Sequence, residues 1–264
     1  NELGNLYFMA GNIDQAALKM RETADLQEKL KDEVGLSSTL DSLGSILKEK
    51  NDLEGAEECF GRAMEFKEKQ GDTEGVVEIY RNRVTVLLML GKLDIAEKII
   101  KNSLRANKKS GNEIGLMNDY RNMGNLSMQK TDWANADKFY KNSLEINNKT
   151  NNRYEISEDH RNRGNLYLQK EDWDLCEKLY FQALKIAEEI KDLRNVCHDS
   201  RILGKVYAEK KSRNKQEEYY KKALEASEEL KDEAGLQVDH RNLGELCLGR
   251  GYKDRSENHF KASL

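Results

Sequence analysis

Small and apolar residues recur along the chain at a fixed step of 40. A glycine marks most of these repeats, at Gly4, Gly44, Gly124, Gly164, Gly204 and Gly244. Val84 stands at the corresponding place in the third repeat, and its apolar neighbours stay in register. We call this the repeat position. Self-similarity at such a step is typical of repeat architectures, so the sequence predicts seven tandem units over nearly the whole chain.

Each unit carries the pattern of two packed helices. In the first five units a small residue stands at the twelfth place after the repeat position, at Ala16, Ala56, Ala96, Ala136 and Cys176. A large residue stands at the sixteenth place, at Met20, Phe60, Ile100, Tyr140, Tyr180, Tyr220 and Phe260. Small residues let two helices approach and large ones fill the space beside the crossing, which predicts helical hairpins. Gln216 and Ser256 replace the small residue in the last two units, where we expect looser hairpins.

Polar residues mark the turns. Asn or Asp precedes an apolar anchor inside the hairpins, at Asn12, Asp52, Asp132 and Asp172, and is expected to cap the second helix. Units of this kind are stabilised by stacking on their neighbours. We therefore predict one solenoid domain over residues 1–264, with units starting near 1, 38, 78, 118, 158, 198 and 238. The chain begins and ends inside predicted helices, and we expect it to be a fragment of a longer protein.

Two segments carry a resemblance to a known family. Residues Arg121–Leu126 and Arg241–Leu246 read Arg-Asn-Met-Gly-Asn-Leu and Arg-Asn-Leu-Gly-Glu-Leu. With the small and aromatic residues that follow, they resemble the tetratricopeptide repeat in its 40-residue form, in particular the repeats of spindle-orientation adaptors of the Pins/LGN type. The resemblance implies an all-α fold, a right-handed superhelical α-solenoid of about seven hairpins, whose first helices line a concave peptide-binding groove. Similar repeats also occur in the sensor arms of signalling ATPases.

Composition narrows the class of protein. The absence of proline and a charged fraction of 35% favour long, solvent-exposed helices. No apolar run reaches the roughly 18 residues of a membrane helix, and the four cysteines lack a metal-type spacing. We predict a cytoplasmic protein with reduced thiols and no membrane contact. The net charge of −4 argues against nucleic acid as the partner.

Motifs for catalysis do not occur. The chain has no nucleotide-binding glycine loop, no nucleophile elbow and no zinc-protease motif. His160 and His240 lie four residues before the repeat position, where Tyr80 and Tyr120 stand in other units, and are expected to be packing side chains. The chain is therefore predicted to be a non-enzyme without a cofactor or a metal.

The most informative polar pattern lies on the first helices. Arginine stands three residues before the repeat position, at Arg81, Arg121, Arg161, Arg201 and Arg241. Asn or Lys stands one residue after it, at Asn5, Asn125, Asn165 and Lys205, and Asn stands two before it, at Asn82, Asn122, Asn162 and Asn242. Positions four apart share a helix face, so these residues form a repeated stripe. By the resemblance, the stripe lines the groove.

Two interpretations of the stripe stay open. Arginine forks suit carboxylates and asparagine amides suit a peptide backbone, which predicts a protein partner with an extended acidic segment or a free C-terminus. Alternatively, the aspartates two residues before the arginines pair with arginines of neighbouring units, namely Asp119, Asp159, Asp199 and Asp239. Exposed pairs of that kind would contribute only about 0–1 kcal/mol each.

The predicted function is a non-catalytic scaffold for protein interaction. A second hypothesis is a ligand-sensing arm attached to a flanking effector domain such as an ATPase or a protease. RNA binding is a third, since arginine and asparagine also suit nucleic acid, although the acidic composition disfavours it.

Overall fold

The computed structural model describes residues 2–263, without the side chains at positions 73, 74 and 78. In this part of the chain, fourteen α-helices follow one another and no strand occurs. The helices are α1 (Glu2–Met9), α2 (Ile13–Leu30), α3 (Glu33–Glu49), α4 (Leu53–Gln70), α5 (Thr73–Met89), α6 (Leu93–Ser110), α7 (Glu113–Gln129), α8 (Trp133–Thr150), α9 (Arg153–Gln169), α10 (Trp173–Glu189), α11 (Leu193–Glu209), α12 (Arg213–Leu230), α13 (Glu233–Gly249) and α14 (Lys253–Ala262).

The helices fall into two compact units, which we describe separately. The N-terminal unit spans Asn1–Asp132 and contains α1 to α7, and the C-terminal unit spans Trp133–Leu264 and contains α8 to α14. Within each unit, every helix packs against its neighbours in the chain. The complete hairpins are α1–α2, α3–α4 and α5–α6 in the first unit, and α9–α10, α11–α12 and α13–α14 in the second. The predicted all-α fold of tandem helical hairpins is confirmed.

Left-handed residues separate the helices at a step of 20, half the sequence repeat. They are Gly11, Lys31, Asn51, Gly71, Gly91, Gly111, Thr131, Asn151, Glu171, Lys191, Lys211, Lys231 and Gly251. At Asn51 the backbone N–H donates to Lys48 O at 3.0 Å and the N–H of Asp52 donates to Leu47 O at 2.8 Å. These two bonds satisfy carbonyls that the end of a helix leaves free.

At several turns, the residue after the left-handed position caps the next helix. Asp52 Oδ1 accepts from the N–H of Gly55 at 3.1 Å, and Asn12 and Asp172 accept in the same way at 3.3 and 3.1 Å. Since the first helical N–H groups have no partner inside the helix, these bonds fix where α2, α4 and α10 begin. The predicted caps at these three positions are confirmed.

Glycine at the repeat position allows a ring to lie against the helix backbone. A Cβ added at Gly164 would stand 2.7 Å from Tyr180 Cδ2, and one at Gly204 would stand 2.3 Å from Tyr220 Cε1. The α5–α6 hairpin uses a different pair, because Val84 and Ile100 are both fully buried at the corresponding positions. Val84 takes more space than a glycine, and the residue opposite it is aliphatic in place of a ring.

The expectation of loose packing in the last two hairpins is wrong. The ring of Tyr220 lies directly against Gly204, and that of Phe260 would be 2.8 Å from a Cβ at Gly244. Ser256 is buried and its hydroxyl donates to Gly244 O at 2.9 Å. A serine is small enough for the crossing, and its hydroxyl finds an acceptor on the partner helix.

Candidate functional site

Four aspartates are buried at one repeated place on the first helices. Asp119 lies on α7, Asp159 on α9, Asp199 on α11 and Asp239 on α13, each with 0% of its surface exposed. Burying a carboxylate is costly unless hydrogen bonds or a cation compensate it. The partners of these aspartates therefore determine how the surrounding polar stripe is held.

The preceding second helix supplies one set of donors. Asn107 Nδ2 donates to Asp119 Oδ2 at 2.7 Å, and Ser227 Oγ donates to Asp239 Oδ2 at 2.7 Å. In the C-terminal unit, Asn147 Nδ2 donates to Asp159 Oδ2 at 2.6 Å. The sequence analysis did not predict these donors. All three lie the same number of residues before their aspartates, and the two asparagines are one 40-residue step apart.

Arginines of the preceding first helix supply the second set. Arg201 donates to Asp239 through Nε at 2.6 Å and through Nη2 at 2.7 Å. Arg161 Nε donates to both oxygens of Asp199, at 2.9 and 3.1 Å. The pairing of arginine with the aspartate of the next hairpin is confirmed at these two places. The expectation that such pairs are exposed is wrong, because both carboxylates are fully buried.

Arg161 lies inside the protein. Its side chain is 5% exposed, and it also donates to Glu158 and to Ser157 Oγ. Its guanidinium contacts are thus directed at protein oxygens, and the guanidinium joins α9 to α11. The sequence predicts this residue on the groove surface, whereas in the structure it lies beneath that surface, because the aspartate that pairs with it is buried.

The N-terminal unit uses a neutral donor at the equivalent place. The Tyr80 hydroxyl donates to Asp119 Oδ1 at 2.8 Å, while Arg81, the next residue on α5, is exposed. Burial raises the pKa of Asp119 above its usual value, against the lowering effect of its hydrogen bonds to Asn107 and Tyr80. Burial also raises the pKa of Tyr80, so the hydroxyl keeps its proton.

Other predicted stripe residues reach solvent in the C-terminal unit. Asn165 on α9, Lys205 on α11 and Arg241 on α13 are exposed, and the Arg201 side chain is 22% exposed. Glu245 is exposed on α13, one turn after Arg241. We call these five residues the first-helix face. Asn162 and Asn242 are half-buried beside it.

One member of this face is held in a fixed orientation. The hydroxyl of Tyr180 on α10 donates to Asn165 Oδ1, so the carboxamide oxygen is engaged within the hairpin. The amide nitrogen carries two further hydrogens that can donate to a carbonyl. Asn165 therefore presents a donor group at the surface of α9.

The predicted residues of the N-terminal unit are distributed differently. Asn5 on α1 and Arg81 on α5 are exposed, whereas Asn122 on α7 is buried. The half-buried members are Asn82, Arg121 and Asn125. The stripe of the sequence thus has exposed and buried members in both units.

Burial shifts the pKa values of two cysteines and one histidine. Burial raises the pKa of Cys59 to about 11 and that of Cys176 to about 12, which keeps these thiols protonated. Burial lowers the pKa of His160 to about 4, so its imidazole is neutral at pH 7. Among the described residues, no group of three or more His, Cys, Asp or Glu side chains is placed to hold a metal ion.

A helix that crosses a membrane must be both long and apolar. Over the described residues, none of the helices combines the length and the apolar character that crossing a bilayer requires.

Comparison with known proteins identifies the repeat. The model of the tetratricopeptide repeat family matches residues 38–70 and 202–230, which lie in one hairpin of each unit. No curated protein is similar to the chain in sequence.

Several solved structures share the fold. A signal-transduction ATPase with a tetratricopeptide repeat sensor, from Pyrococcus horikoshii, is 16% identical with a TM-score of 0.70, over 99% of this chain and 40% of that one. BtubC from P. vanneervenii is 17% identical with a TM-score of 0.68, over 83% of this chain and 92% of that one. A Rap protein complexed with Competence and Sporulation Factor is 14% identical with a TM-score of 0.65, over 99% and 72%.

The spacing of the glycines, the helical hairpins and these similarities agree. The chain contains tetratricopeptide repeats and has the tandem helical-hairpin fold of the tetratricopeptide repeat proteins.

Proposed function

We propose that the chain is a non-catalytic scaffold that binds an extended, acidic peptide segment of a partner protein on the first-helix face of its C-terminal unit. The tetratricopeptide repeats and the similar structures support a scaffold for protein interaction. The observation that carries the finer proposal is the exposure of Asn165, Lys205 and Arg241 on three successive first helices. They provide a peptide-backbone donor and two cations in a row.

The charges of this face favour an acidic ligand. Lys205 and Arg241 carry two positive charges against the single negative charge of Glu245. Arg201 is neutralised by Asp239, yet it engages the aspartate through Nε and Nη2 only. Its Nη1 group remains to donate to a ligand carboxylate, and a guanidinium bound on one edge loses little freedom when the other edge binds.

The buried ladder has a positioning role in this proposal. Asp239 and Ser227 hold Arg201 in one orientation, and Arg161 joins α9 to α11 through Asp199. A surface with fixed side chains binds with a smaller entropy cost than one whose side chains must be ordered. We therefore assign ligand contact to the exposed stripe residues and support to the buried ones.

A sensing arm in a larger protein is the second candidate. The Pyrococcus horikoshii ATPase has a tetratricopeptide repeat sensor, and this chain corresponds to 40% of its length. Peptide binding on the first-helix face is common to both candidates, since a sensor must also bind its ligand. RNA binding stays a minor alternative because the chain is acidic.

Selection from a random peptide library tests the proposal. We expect the selected peptides to be rich in Asp and Glu, and their affinity for Lys205→Glu/Arg241→Glu to be at least about tenfold weaker, or about 1.4 kcal/mol. Isothermal titration calorimetry measures this affinity. Neither residue forms an ion pair in the described part of the chain, so the helical circular dichroism should be unchanged.

A matched charge reversal serves as the control. Lys138 on α8 and Lys178 on α10 are exposed on second helices of the same unit, and Lys138→Glu/Lys178→Glu changes the net charge by the same amount. This variant should bind the selected peptides like the wild type. Equal losses in the two double variants, or selected peptides without acidic residues, would contradict the proposal.

A further inference from the structure

A small polar cavity lies between α12 and α13, where the sixth hairpin meets the seventh. Its volume is about 210 Å³. Its wall includes Arg213, Gln216 and Tyr220 of α12, and Asn242 and Glu245 of α13. Sites for drug-sized ligands measure about 300–1,000 Å³, so this cavity suits a smaller ligand, of the size of one or two small amino acids.

Two opposite charges line the cavity without pairing with each other. Arg213 and Glu245 are both exposed, and neither side chain forms an ion pair within the part of the chain that the structure describes. Elsewhere in this unit such charges are joined directly, as Lys222 of α12 is to Glu188 of α10. A ligand that carries both a carboxylate and an ammonium group can pair with both charges at once.

Neutral polar groups in the wall supply further hydrogen bonds. Gln216 stands at the twelfth place after the repeat position, where the first five units have alanine or cysteine. Asn242 is half-buried, and its buried Nδ2 atom has no hydrogen-bond partner among the described residues. Burial raises the pKa of Tyr220 above its usual value, so its hydroxyl can also donate. Since a buried amide donor without an acceptor is costly, a ligand oxygen that reached Asn242 would remove this cost.

Contacts from Arg250 hold the cavity wall in place. The Arg250 guanidinium, directly after α13, donates to the Glu217 carboxylate and to the carbonyl oxygen of Arg213. The first residue of α12 is thereby tied to the end of α13 through its backbone, which leaves the guanidinium of Arg213 to bind a ligand. A wall that is fixed before binding lowers the entropy cost of binding.

We propose that this cavity binds a small zwitterion, a free amino acid or a dipeptide, with its carboxylate on Arg213 and its ammonium group on Glu245. Arginine binds carboxylates through two parallel N–H donors, and an ionised glutamate accepts from an ammonium group. The proposed peptide binding depends on Lys205 and Arg241, and neither residue lines the cavity. The inference is therefore independent of the proposed function.

NMR titration of the full-length chain with zwitterions of increasing charge separation tests the site. The probes are glycine, β-alanine, γ-aminobutyrate and glycylglycine. We expect at least one of them, at millimolar concentration, to shift the side-chain amide resonances of Gln216 and Asn242 in a saturable way. The probe that binds most tightly gives the charge separation and distinguishes an amino acid from a dipeptide. N-acetylglycine lacks the ammonium group and glycinamide lacks the carboxylate, so both should bind at least about tenfold more weakly.

Variants of the two charges separate this site from non-specific binding. Arg213→Gln and Glu245→Gln should each weaken binding of the best probe at least about tenfold, with unchanged helical circular dichroism because both side chains are exposed. Arg194→Gln and Glu209→Gln remove an exposed arginine and an exposed glutamate of α11, and both should bind like the wild type. The absence of saturable shifts with all four zwitterions, equal binding of the singly charged probes, or unchanged affinity in Arg213→Gln/Glu245→Gln would overturn the proposal.

Discussion

The energetic role of a buried aspartate depends on which group faces it. Asp239 receives three hydrogen bonds, two from the Arg201 guanidinium and one from Ser227. Asp119 receives its bonds from the neutral groups of Tyr80 and Asn107. Asp119 and Asp239 therefore stand at equivalent places in the repeat, but the carboxylate of Asp239 is compensated by a cation, whereas that of Asp119 is bound by neutral donors.

Replacing Asp239 tests the compensated charge. Asp239→Asn puts an amide donor where a carboxylate accepts from Arg201, and leaves a half-buried guanidinium without its anion. We expect the free energy of unfolding to fall by about 2 kcal/mol, as a lower midpoint in urea. Asp119→Asn, which removes no ion pair, should shift the midpoint less; an equal or smaller shift for Asp239→Asn would contradict the assigned role.

The pH dependence of stability tests Asp119. Burial raises its folded-state pKa above the unfolded value of about 3.9. A group of this kind stabilises the fold most below the unfolded pKa, and this contribution is lost as the pH rises through the folded pKa. Stability of Asp119→Asn relative to the wild type should therefore increase from about pH 3.5 to pH 7, as measured by urea midpoints across this range. Parallel curves would show that Asp119 titrates normally.

For single residues, the sequence predicted which side chains form pairs better than it predicted whether those side chains are buried. Arginine and aspartate recur at the same step along the chain, which allowed the ion pair of Arg201 with Asp239 to be anticipated, and the pair exists. Burial of the aspartates could not be read from their spacing, because it depends on how closely the next hairpin packs. The Tyr80 hydroxyl was also missed, since a tyrosine that alternates with histidine at one repeat position indicates packing rather than a specific acceptor.

Close helix crossings set the geometry of each hairpin. At Gly164, the ring of Tyr180 occupies the volume that any side chain would need. Gly164→Leu should lower the free energy of unfolding by at least about 1–3 kcal/mol, because a bulky side chain in a packed crossing forces the helices apart. Thermal melting followed by circular dichroism measures the effect.

Gly249 provides the matched control for this substitution. It is the last residue of α13, and a Cβ there would meet no atom within 4 Å. Gly249→Ala should leave the melting temperature unchanged or raise it slightly, since alanine favours helix. If Gly164→Leu melted like the wild type, close packing at the glycine would not govern the hairpin.

Some left-handed turn positions carry residue types that rarely adopt this backbone conformation. Thr131 adopts φ 57°, a conformation that β-branched residues rarely take, whereas Asn51 at φ 64° is of a type that tolerates it. We expect Thr131→Gly to raise the free energy of unfolding by about 0.5–1 kcal/mol, the relief of strain less the entropy cost of glycine. Asn51→Gly should change it by less. A loss of stability in Thr131→Gly would mean that the turn is not strained.

The elements were predictable because apolar and small residues must recur where helices cross. The step of 40 therefore located the hairpins and three caps. The finer step of 20 was missed, because Lys, Glu, Thr, Asn and Gly all stand at the left-handed positions. Backbone hydrogen bonds hold these turns, so several residue types fit at the left-handed position. No single residue type therefore marks the turns in the sequence.

At the scale of the whole molecule, the two units differ in what fills the space between hairpins. The N-terminal unit has a mainly apolar core that includes Leu40, Leu43 and Phe60, with Thr39 and Ile79 in the places that aspartates hold elsewhere. The C-terminal unit combines apolar packing around Tyr180 with the buried ion pairs. The peptide-binding surface is accordingly proposed for the C-terminal unit, where fixed charges support exposed ones.

Function was less predictable than fold, because repetition alone does not show which polar residues are exposed. Repetition identified Arg161 and Lys205 equally, but packing hides the first and exposes the second. A repeated polar residue can serve either the stack or a ligand, and only its burial and partners decide between these roles.

Zero-length cross-linking of a selected acidic peptide to the full-length chain tests the central claim most directly. A carbodiimide couples a peptide carboxylate to a lysine amine that it touches, and mass spectrometry identifies the lysine. We predict coupling at Lys205, with retained peptide affinity but no coupling there in Lys205→Arg. Coupling mainly at Lys138 and Lys178, or spread evenly over exposed lysines, would contradict binding on the first-helix face.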